Sequence, residues 1–330
     1  MADLQKNTDA KNKRASGFKR FFKDNYVGWL FNLPLVVGII VFTLVPVVFS
    51  LIMSFYKPPQ FVLTPFDWMG EFAGFQNYIK LLNSPLAGYI AKNTFLYVII
   101  SVPLGLVVSY FLALLVSKEQ KRGIKTFRVL YYMPCMIPAA AGAIIWKKLT
   151  ALDVQRTDGT LFQGVFNEIV AFFGGKPFKW HDEDDFRAML SIIFYGLWGA
   201  GGGMLLWLSA FKSIDKQYYE AADIEGASKF RKLISITLPM STPMIFYNLI
   251  MSVIGTIQST VPLTYGHDGG IGRNDALNML GLRIYYLSFG GDAKTYGRAS
   301  ALAWITLLIV GVLTAILFKT SKWVFYGDDV

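Results

Sequence analysis

Six stretches of this 330-residue chain contain no Asp, Glu, Lys or Arg: Asn25–Tyr56, Asn93–Ser117, Val129–Trp146, Ala188–Phe211, Leu233–Gly266 and Ala299–Phe318. They run 32, 25, 18, 24, 34 and 20 residues. A helix crossing a bilayer core of about 30 Å needs roughly 20 apolar residues at 1.5 Å each, so five are long enough and the third is borderline. Soluble chains carry about 25% charged residues; this one carries 16%, with 54% hydrophobic. The pattern predicts an all-α, polytopic membrane protein with six transmembrane helices. The expected spans are about 29–55, 93–117, 127–146, 188–211, 239–262 and 299–318. They would be flanked by tails 1–28 and 321–330 and divided by a loop, 212–238.

The net charge of +10 is distributed by loop. Residues 1–28, 117–128, 212–238 and 319–330 hold 19 Lys or Arg in 79 positions, against 13 in 114 for 56–92, 147–187 and 263–298. Under the positive-inside rule the first set is cytoplasmic, which places both termini there in a multi-pass plasma-membrane protein. The first apolar stretch is too long, and preceded by too many polar residues, for a cleaved signal peptide. The basic run Lys6, Lys11, Lys13, Arg14, Lys19, Arg20 and Lys23 reads as a tail facing membrane lipid. No nucleic-acid motif accompanies it.

Several chemistries are excluded. A lone Cys135 leaves no disulfide partner, and His181 and His267 lie too far apart in sequence for a His-rich metal site. Asp182, Glu183, Asp184 and Asp185 read as a helix-start signal, with calcium ligation as the alternative, although their spacing matches no calcium loop. No zinc-protease signature, Ser-His-Asp order or paired carboxylates at membrane depth occurs, so no catalytic residue and no metal site is assigned. Gly174-Gly175-Lys176-Pro177 lacks the spacing of a phosphate loop, so this chain would not hydrolyse ATP. Spans free of ionisable carboxylates and amines suit a neutral polar solute better than an ion.

Two outer stretches, Leu161–Gly175 and Ala276–Gly290, are apolar on a helical period but carry Glu168 and Arg283. Each is expected to be an amphipathic helix on the outer surface rather than a further span.

The loop 212–238 carries the most information. Glu220, Ala221 and Ala222 favour helix, Gly226 permits the positive φ of a sharp corner, Ser228 can cap a second helix, and Pro239 fits the return to the membrane. Two short helices and a bend make a compact knob with little side-chain bulk, a shape that fits a groove on another protein.

That segment resembles the cytoplasmic EAA loop of the permease subunits of bacterial ABC importers: E-A-A, three residues, G, nine residues, I, one residue, L-P. Glu220, Ala221, Ala222, Gly226, Ile236, Leu238 and Pro239 occupy every fixed position. Leu33-Pro34, Val45-Pro46, Phe72 to Tyr78, Asn93-Thr94, Phe127-Arg128, Tyr131 to Pro134 and Ile144 to Lys147 extend the resemblance to the carbohydrate class of these permeases over nearly the whole chain. The run Gly199-Ala200-Gly201-Gly202-Gly203 is richer in glycine than that class. The resemblance implies a second homologous permease, two cytoplasmic ATPase subunits that hold the ATP and Mg, and an extracytoplasmic solute-binding protein as partners. It also implies that Glu220 is a charged contact to the ATPase, Ala221 and Ala222 are close-packing surfaces, and Gly226 with Ala227 forms the corner.

A solute pathway can be sought by spacing. Asn248, Ser252, Gly255, Thr256 and Ser259 share one stripe of the fifth stretch, either facing a cavity or serving as polar glue between helices. Tyr195, Trp198, Gly199 and Gly202 share a face of the fourth, and either line that pathway or belong to an interfacial aromatic belt. The expected function is import of a sugar or oligosaccharide by alternating access. The alternatives are an ABC permease for glycerol phosphate, amino acids or peptides, a stand-alone secondary transporter, and a membrane-embedded enzyme.

Overall fold

The computed structural model describes residues 26–57, 70–117, 123–152, 154–155, 161–180, 186–260, 277–289 and 295–325. The basic tail through residue 25, the segment 181–185 with His181 and the acidic cluster, the loop containing His267 and the final five residues lie outside the described residues. The described chain is almost wholly helical. Three helices are long and apolar enough to cross a membrane: Leu30–Ser54, Ala87–Val116 and Tyr296–Lys319. Three further pairs pass the same test only as bent units, with bends of 103°, 47° and 63°, which gives up to six crossings.

Helix α1 (Tyr26–Ile39) continues through a π-helical turn, Ile40–Leu44, into α2 (Val45–Ser54). The cause of the turn is Pro46. A proline has no N–H and its ring crowds the carbonyl four residues back, and widening the turn relieves both. The N–H of Val45 accordingly reaches Ile40 O, five residues away. Along α1 the described side chains other than Asn32 are apolar around the helix and mostly exposed, which is stable only in lipid.

Helix α3 (Gln76–Leu82) leads into α4 (Ala87–Val116), the long central element. Then α5 (Ile124–Met136) and α6 (Ala139–Leu149) meet at 103°. Pro138 forces Ile137 out of the α region, to φ −74° and ψ 129°, so the helix must stop at Met136. At 13 and 11 residues, neither piece alone could span the hydrocarbon core. The third apolar stretch is therefore two helices rather than one straight rod.

A two-residue ribbon, β1 (Val154–Gln155) with β2 (Leu161–Phe162), is the one pair of strands among the described residues, besides an isolated bridge between Tyr56 and Phe72, and α7 (Val165–Phe172) follows it. Asn167 on α7 is fully buried and organises the segment that follows α6. Its amide donates to Ala151 O at 2.9 Å and Phe178 O at 3.2 Å, and accepts from Trp180 Nε1 at 3.1 Å.

Helices α8 (Phe186–Trp198) and α9 (Gly201–Ser213) bend by 47° at Gly199–Ala200. The glycine run allows close approach: a Cβ on Gly201 would lie 1.7 Å from Tyr131 O, so only glycine lets α9 start against α5. After the loop helices α10 (Lys216–Ile224) and α11 (Lys229–Lys232), a second π-helical turn, Leu233–Thr237, precedes α12 (Leu238–Met240). Pro239 stands two residues beyond this turn, the same offset as Pro46 from the first. Helix α13 (Thr242–Ile257) completes the third bent pair.

The segment around α14 (Leu280–Phe289) departs from the expectation of a surface helix. Leu277, Met279, Leu280, Leu282 and Leu287 are buried, and Gly281 abuts the end of α13 so closely that a Cβ would lie 2.5 Å from Ser259 O. Its apolar residues surround the helix, and a single Arg283 does not make a polar face. Helix α15 (Tyr296–Lys319) then packs on α2, α3, α13 and α14.

Polar residues link these apolar helices. Trp207 Nε1 donates to Ser109 Oγ at 2.9 Å, Tyr110 and Ser241 share a hydrogen bond of 3.1 Å, Trp146 Nε1 donates to Ser191 Oγ at 3.1 Å, and Trp304 Nε1 donates to Ser50 Oγ at 3.2 Å. In lipid, where apolar burial between helices supplies little drive, such bonds are worth about 0.6–2 kcal/mol each and fix register.

Candidate functional site

Two features combine exposed or unsatisfied polar groups with defined geometry: the knob at 215–232 and a cavity among α4, α8 and α13.

The knob begins where Asp215 Oδ1 accepts the N–H of Gln217 at 3.0 Å, an N-cap that starts α10. The helix ends in a Schellman motif: Ala227 N–H donates to Ala222 O at 2.8 Å and Gly226 N–H to Asp223 O at 3.1 Å, with Gly226 at φ +73°. Ser228 Oγ accepts from Arg231 N–H at 3.3 Å and starts α11. An ion pair between Lys232 and Asp223 joins the two arms. Tyr219 and Thr237 share a hydrogen bond of 2.9 Å that seats α10 on the second π-helical turn. Glu220, Ala221 and Gly226 are exposed, Ala222 and Ala227 half-buried, and no side chain of α10 is buried. Ile224 is 89% exposed and Phe230 70%, so two large apolar groups flank the corner with nothing from the described chain over them.

The cavity has a volume of about 270 Å³. Tyr97, Ser101, Val102 and Gly105 of α4, Ile193, Gly196 and Leu197 of α8, and Ser252, Gly255 and Thr256 of α13 line it. A Cβ on Gly105, Gly196 or Gly255 would meet nothing within 4 Å, so each glycine leaves its side-chain space to the cavity. Hydroxyls supply the polarity, and no carboxylate, ammonium or guanidinium is among the lining residues. Ser101 Oγ is buried and lacks a hydrogen-bond partner. A buried hydroxyl left unpaired costs roughly 1–3 kcal/mol, so a solute hydroxyl reaching it recovers that penalty.

The stripe seen in the fifth stretch is thus divided. Ser252, Gly255 and Thr256 meet at the cavity. Asn248 instead donates to Met244 O of its own helix at 2.9 Å, and Ser259 bonds to Tyr97; neither is among the lining residues. The residues singled out on the fourth stretch also lie elsewhere. Tyr195 donates to Ala139 O at 3.0 Å and, with Trp198, packs on Trp146, with ring centroids 6.0 Å away in both cases. A Cβ on Gly202 would lie 3.6 Å from Cys135, and Gly199 sits at the bend before α9. Tyr97, Ser101, Gly105 and Gly196 were not found by sequence reasoning. The first three fall at i, i+4 and i+8, the same spacing that drew attention to the fifth stretch, so that signal was present.

Comparison with known proteins gives a consistent result. The model of the family described as binding-protein-dependent transport system inner membrane component matches residues 101–323. The chain is 33% identical to the probable ABC transporter permease protein YesP of Bacillus subtilis (strain 168), over 92% of this chain and 93% of that protein. It is 30% identical to the lactose transport system permease protein LacF of Rhizobium radiobacter, over 93% and 97% respectively. Its fold is similar to a chain in the crystal structure of a bacterial ABC transporter involved in the import of the acidic polysaccharide alginate: the TM-score is 0.75 at 20% identity, with 92% of this chain and 98% of that one covered.

Proposed function

The chain belongs to the family of binding-protein-dependent transport system inner membrane components, and on that premise we propose that it is the permease subunit of an ATP-driven importer of a neutral sugar or oligosaccharide. It is a multi-pass membrane protein, and the charge distribution supports cytoplasmic termini. The solute comes from an extracytoplasmic binding protein, crosses by alternating access and passes the cavity among α4, α8 and α13. The observation that carries the substrate class is Ser101 Oγ, buried and unpaired in a wall of glycines and hydroxyls without a formal charge. Glycines give room for a sugar ring, hydroxyls exchange hydrogen bonds with its own, and the missing cation disfavours a phosphate or carboxylate. A volume of about 270 Å³ is below the ~300 Å³ at which ligand pockets ordinarily begin. A second homologous permease completes the passage.

This subunit has no catalytic role; ATP and Mg are held by two partner ATPase subunits. The knob couples them. Glu220 provides its charged contact, Ala221 and Ala222 its close-packing face, and Gly226 with Ala227 the rigid corner that transmits motion toward α13 through the Tyr219–Thr237 bond. The two states of the permease are then biased by nucleotide binding on a separate chain.

Reconstitution with the ATPase, second permease and binding protein in proteoliposomes tests the substrate class. ATP-dependent uptake of neutral saccharides, lowered by Ser101→Ala, is the expected result. Uptake confined to phosphorylated solutes, amino acids or peptides overturns it.

A further inference from the structure

A second cavity, of about 390 Å³, lies among α3, α4, α14 and α15, and its chemistry is opposite to that of the first. Ile90, Phe95 and Val98 form one wall and Leu302, Ile309 and Leu313 the facing one. The hydroxyl of Thr94, also at this wall, is already engaged: it donates to Ile90 O at 2.7 Å and accepts from Leu280 N–H at 3.0 Å. A polyhydroxylated solute would leave its hydroxyls unpaired here, at a cost of roughly 1–3 kcal/mol each. The space is built for hydrocarbon.

Its length and its opening narrow the occupant. From Ala87 to Val98 on α4, and from Leu302 to Leu313 on α15, eleven helical steps cover about 16 Å, close to half of a bilayer core of about 30 Å. Phe95 and Leu82 are exposed along its edge, so the groove is open on the side that faces lipid. One charged residue stands in the lining, Arg283. Leu280 is fixed to Thr94, and Leu287 O accepts from Thr295 Oγ1 at 2.7 Å just before α15 begins, so Arg283 lies between these two ties, in the outer part of the groove. It makes no ion pair among the described residues. Burial, followed by the charge of Arg298 on the first turn of α15, lowers its pKa. A guanidinium in the lining of an apolar slot, with Arg298 on the adjoining helix α15, calls for an anion with a hydrocarbon tail.

We infer that this groove holds one acyl chain of an anionic phospholipid whose phosphodiester is bound by Arg283 with Arg298. The lipid would hold α14 and α15 to α4 where these helices make few polar contacts of their own. The cation comes from a residue type otherwise absent from the groove, and charge complementarity selects an anionic headgroup over a zwitterionic one.

The test uses the full-length chain purified in mild detergent, stripped of lipid and then supplied with dioleoyl phosphatidylglycerol or dioleoyl phosphatidylcholine, with bound lipid counted by native mass spectrometry. One tightly bound phosphatidylglycerol is expected. Arg283→Leu should weaken it roughly fivefold to tenfold, as the loss of about 1 kcal/mol or more per basic residue implies, while Arg283→Lys retains most of the binding. Ala91→Phe, which fills the slot from α4 and leaves both arginines intact, should also displace it. Equal binding of the two lipids overturns the inference, as does phosphatidylglycerol binding unchanged in Ala91→Phe. Displacement of the lipid by millimolar inorganic phosphate alone would likewise overturn it, because the tail would then contribute nothing. A structure of the assembled importer with side chains of the second permease in the groove would assign that space to a protein contact instead.

Discussion

Ala227 donates its N–H to the carbonyl of Ala222 across Gly226, at 2.8 Å, and so fixes the angle between the two arms of the knob. The closure depends on a backbone at φ +73°, which a side chain at this position opposes by roughly 1–2 kcal/mol. No neighbour lies within 4 Å of a Cβ there, so the cost is conformational and not steric. Gly226→Val is therefore expected to insert and assemble normally while transport and solute-stimulated ATPase fall together. Uptake at the parental rate would show that the corner's angle does not transmit force.

Glu220 is exposed on a helix with no buried side chain. Glu220→Lys reverses one surface charge without removing a contact inside this chain. Copurification of the ATPase subunit and uptake should both drop by tenfold or more, since reversing a charge at a desolvated interface costs about 2 kcal/mol or more, with membrane insertion unchanged. Retained copurification with normal uptake would remove Glu220 from the interface.

The Asp223–Lys232 pair gives an independent check on the knob. Asp223→Ala frees one arm from the other, but Asp223 is largely exposed, so little stability is at stake. The expected effect is a modest loss of coupling, seen as more ATP hydrolysed per solute moved. A double variant that exchanges the two charges should restore much of it.

The cavity makes a sharper prediction, because residues of one sequence stripe have different roles. Gly255→Val occupies open space in the cavity and should lower uptake severely. Thr256→Val keeps the volume and Ser101→Ala adds none, and each removes a hydroxyl; a lost hydrogen bond of about 0.5–1.5 kcal/mol corresponds to roughly twofold to twelvefold in apparent affinity. Asn248→Leu removes only a bond to its own helix and should leave solute preference unaltered. Changed preference in Asn248→Leu with none in Thr256→Val would place the pathway elsewhere.

How much of this was legible in the sequence follows from what spacing can encode. A lack of charge over a span's length and the run from Glu220 to Pro239 specify local facts, and those can be read one segment at a time. The stripe Ser252, Gly255 and Thr256 is likewise local. Which helix lies opposite that stripe is not: Tyr97, Ser101 and Gly105 have the same periodicity, but only packing brings α4 to α13. Tyr195 and Trp198 illustrate the converse. They share a helical face, yet Ile137 and Pro138 turn the chain by 103° and bring Ala139 and Trp146 against that face. Pro46 and Pro239 mark distortion in the sequence, whereas its form, a widened turn two residues earlier, becomes visible only in the backbone. Half-buried Arg283 was read as a mark of the surface because charge normally is one.

Asn167 offers the clearest test of stability outside the membrane helices. Its fully buried amide joins Ala151, Phe178 and Trp180, three points of the segment between α6 and α8 that have little regular structure of their own. Asn167→Leu keeps the branched shape but leaves the backbone N–H and carbonyl of Phe178 and the indole N–H of Trp180 without a partner, whereas Ala151 O retains the N–H of Gly164. Each orphaned group costs about 1–3 kcal/mol, so local loosening of the segment is expected and not loss of the helical core. Hydrogen exchange should rise across residues 150–180 and remain unchanged in α4 and α15. Equal exchange throughout would mean that stacking of Phe178 on Trp180, with centroids 4.7 Å apart, holds the segment without the amide.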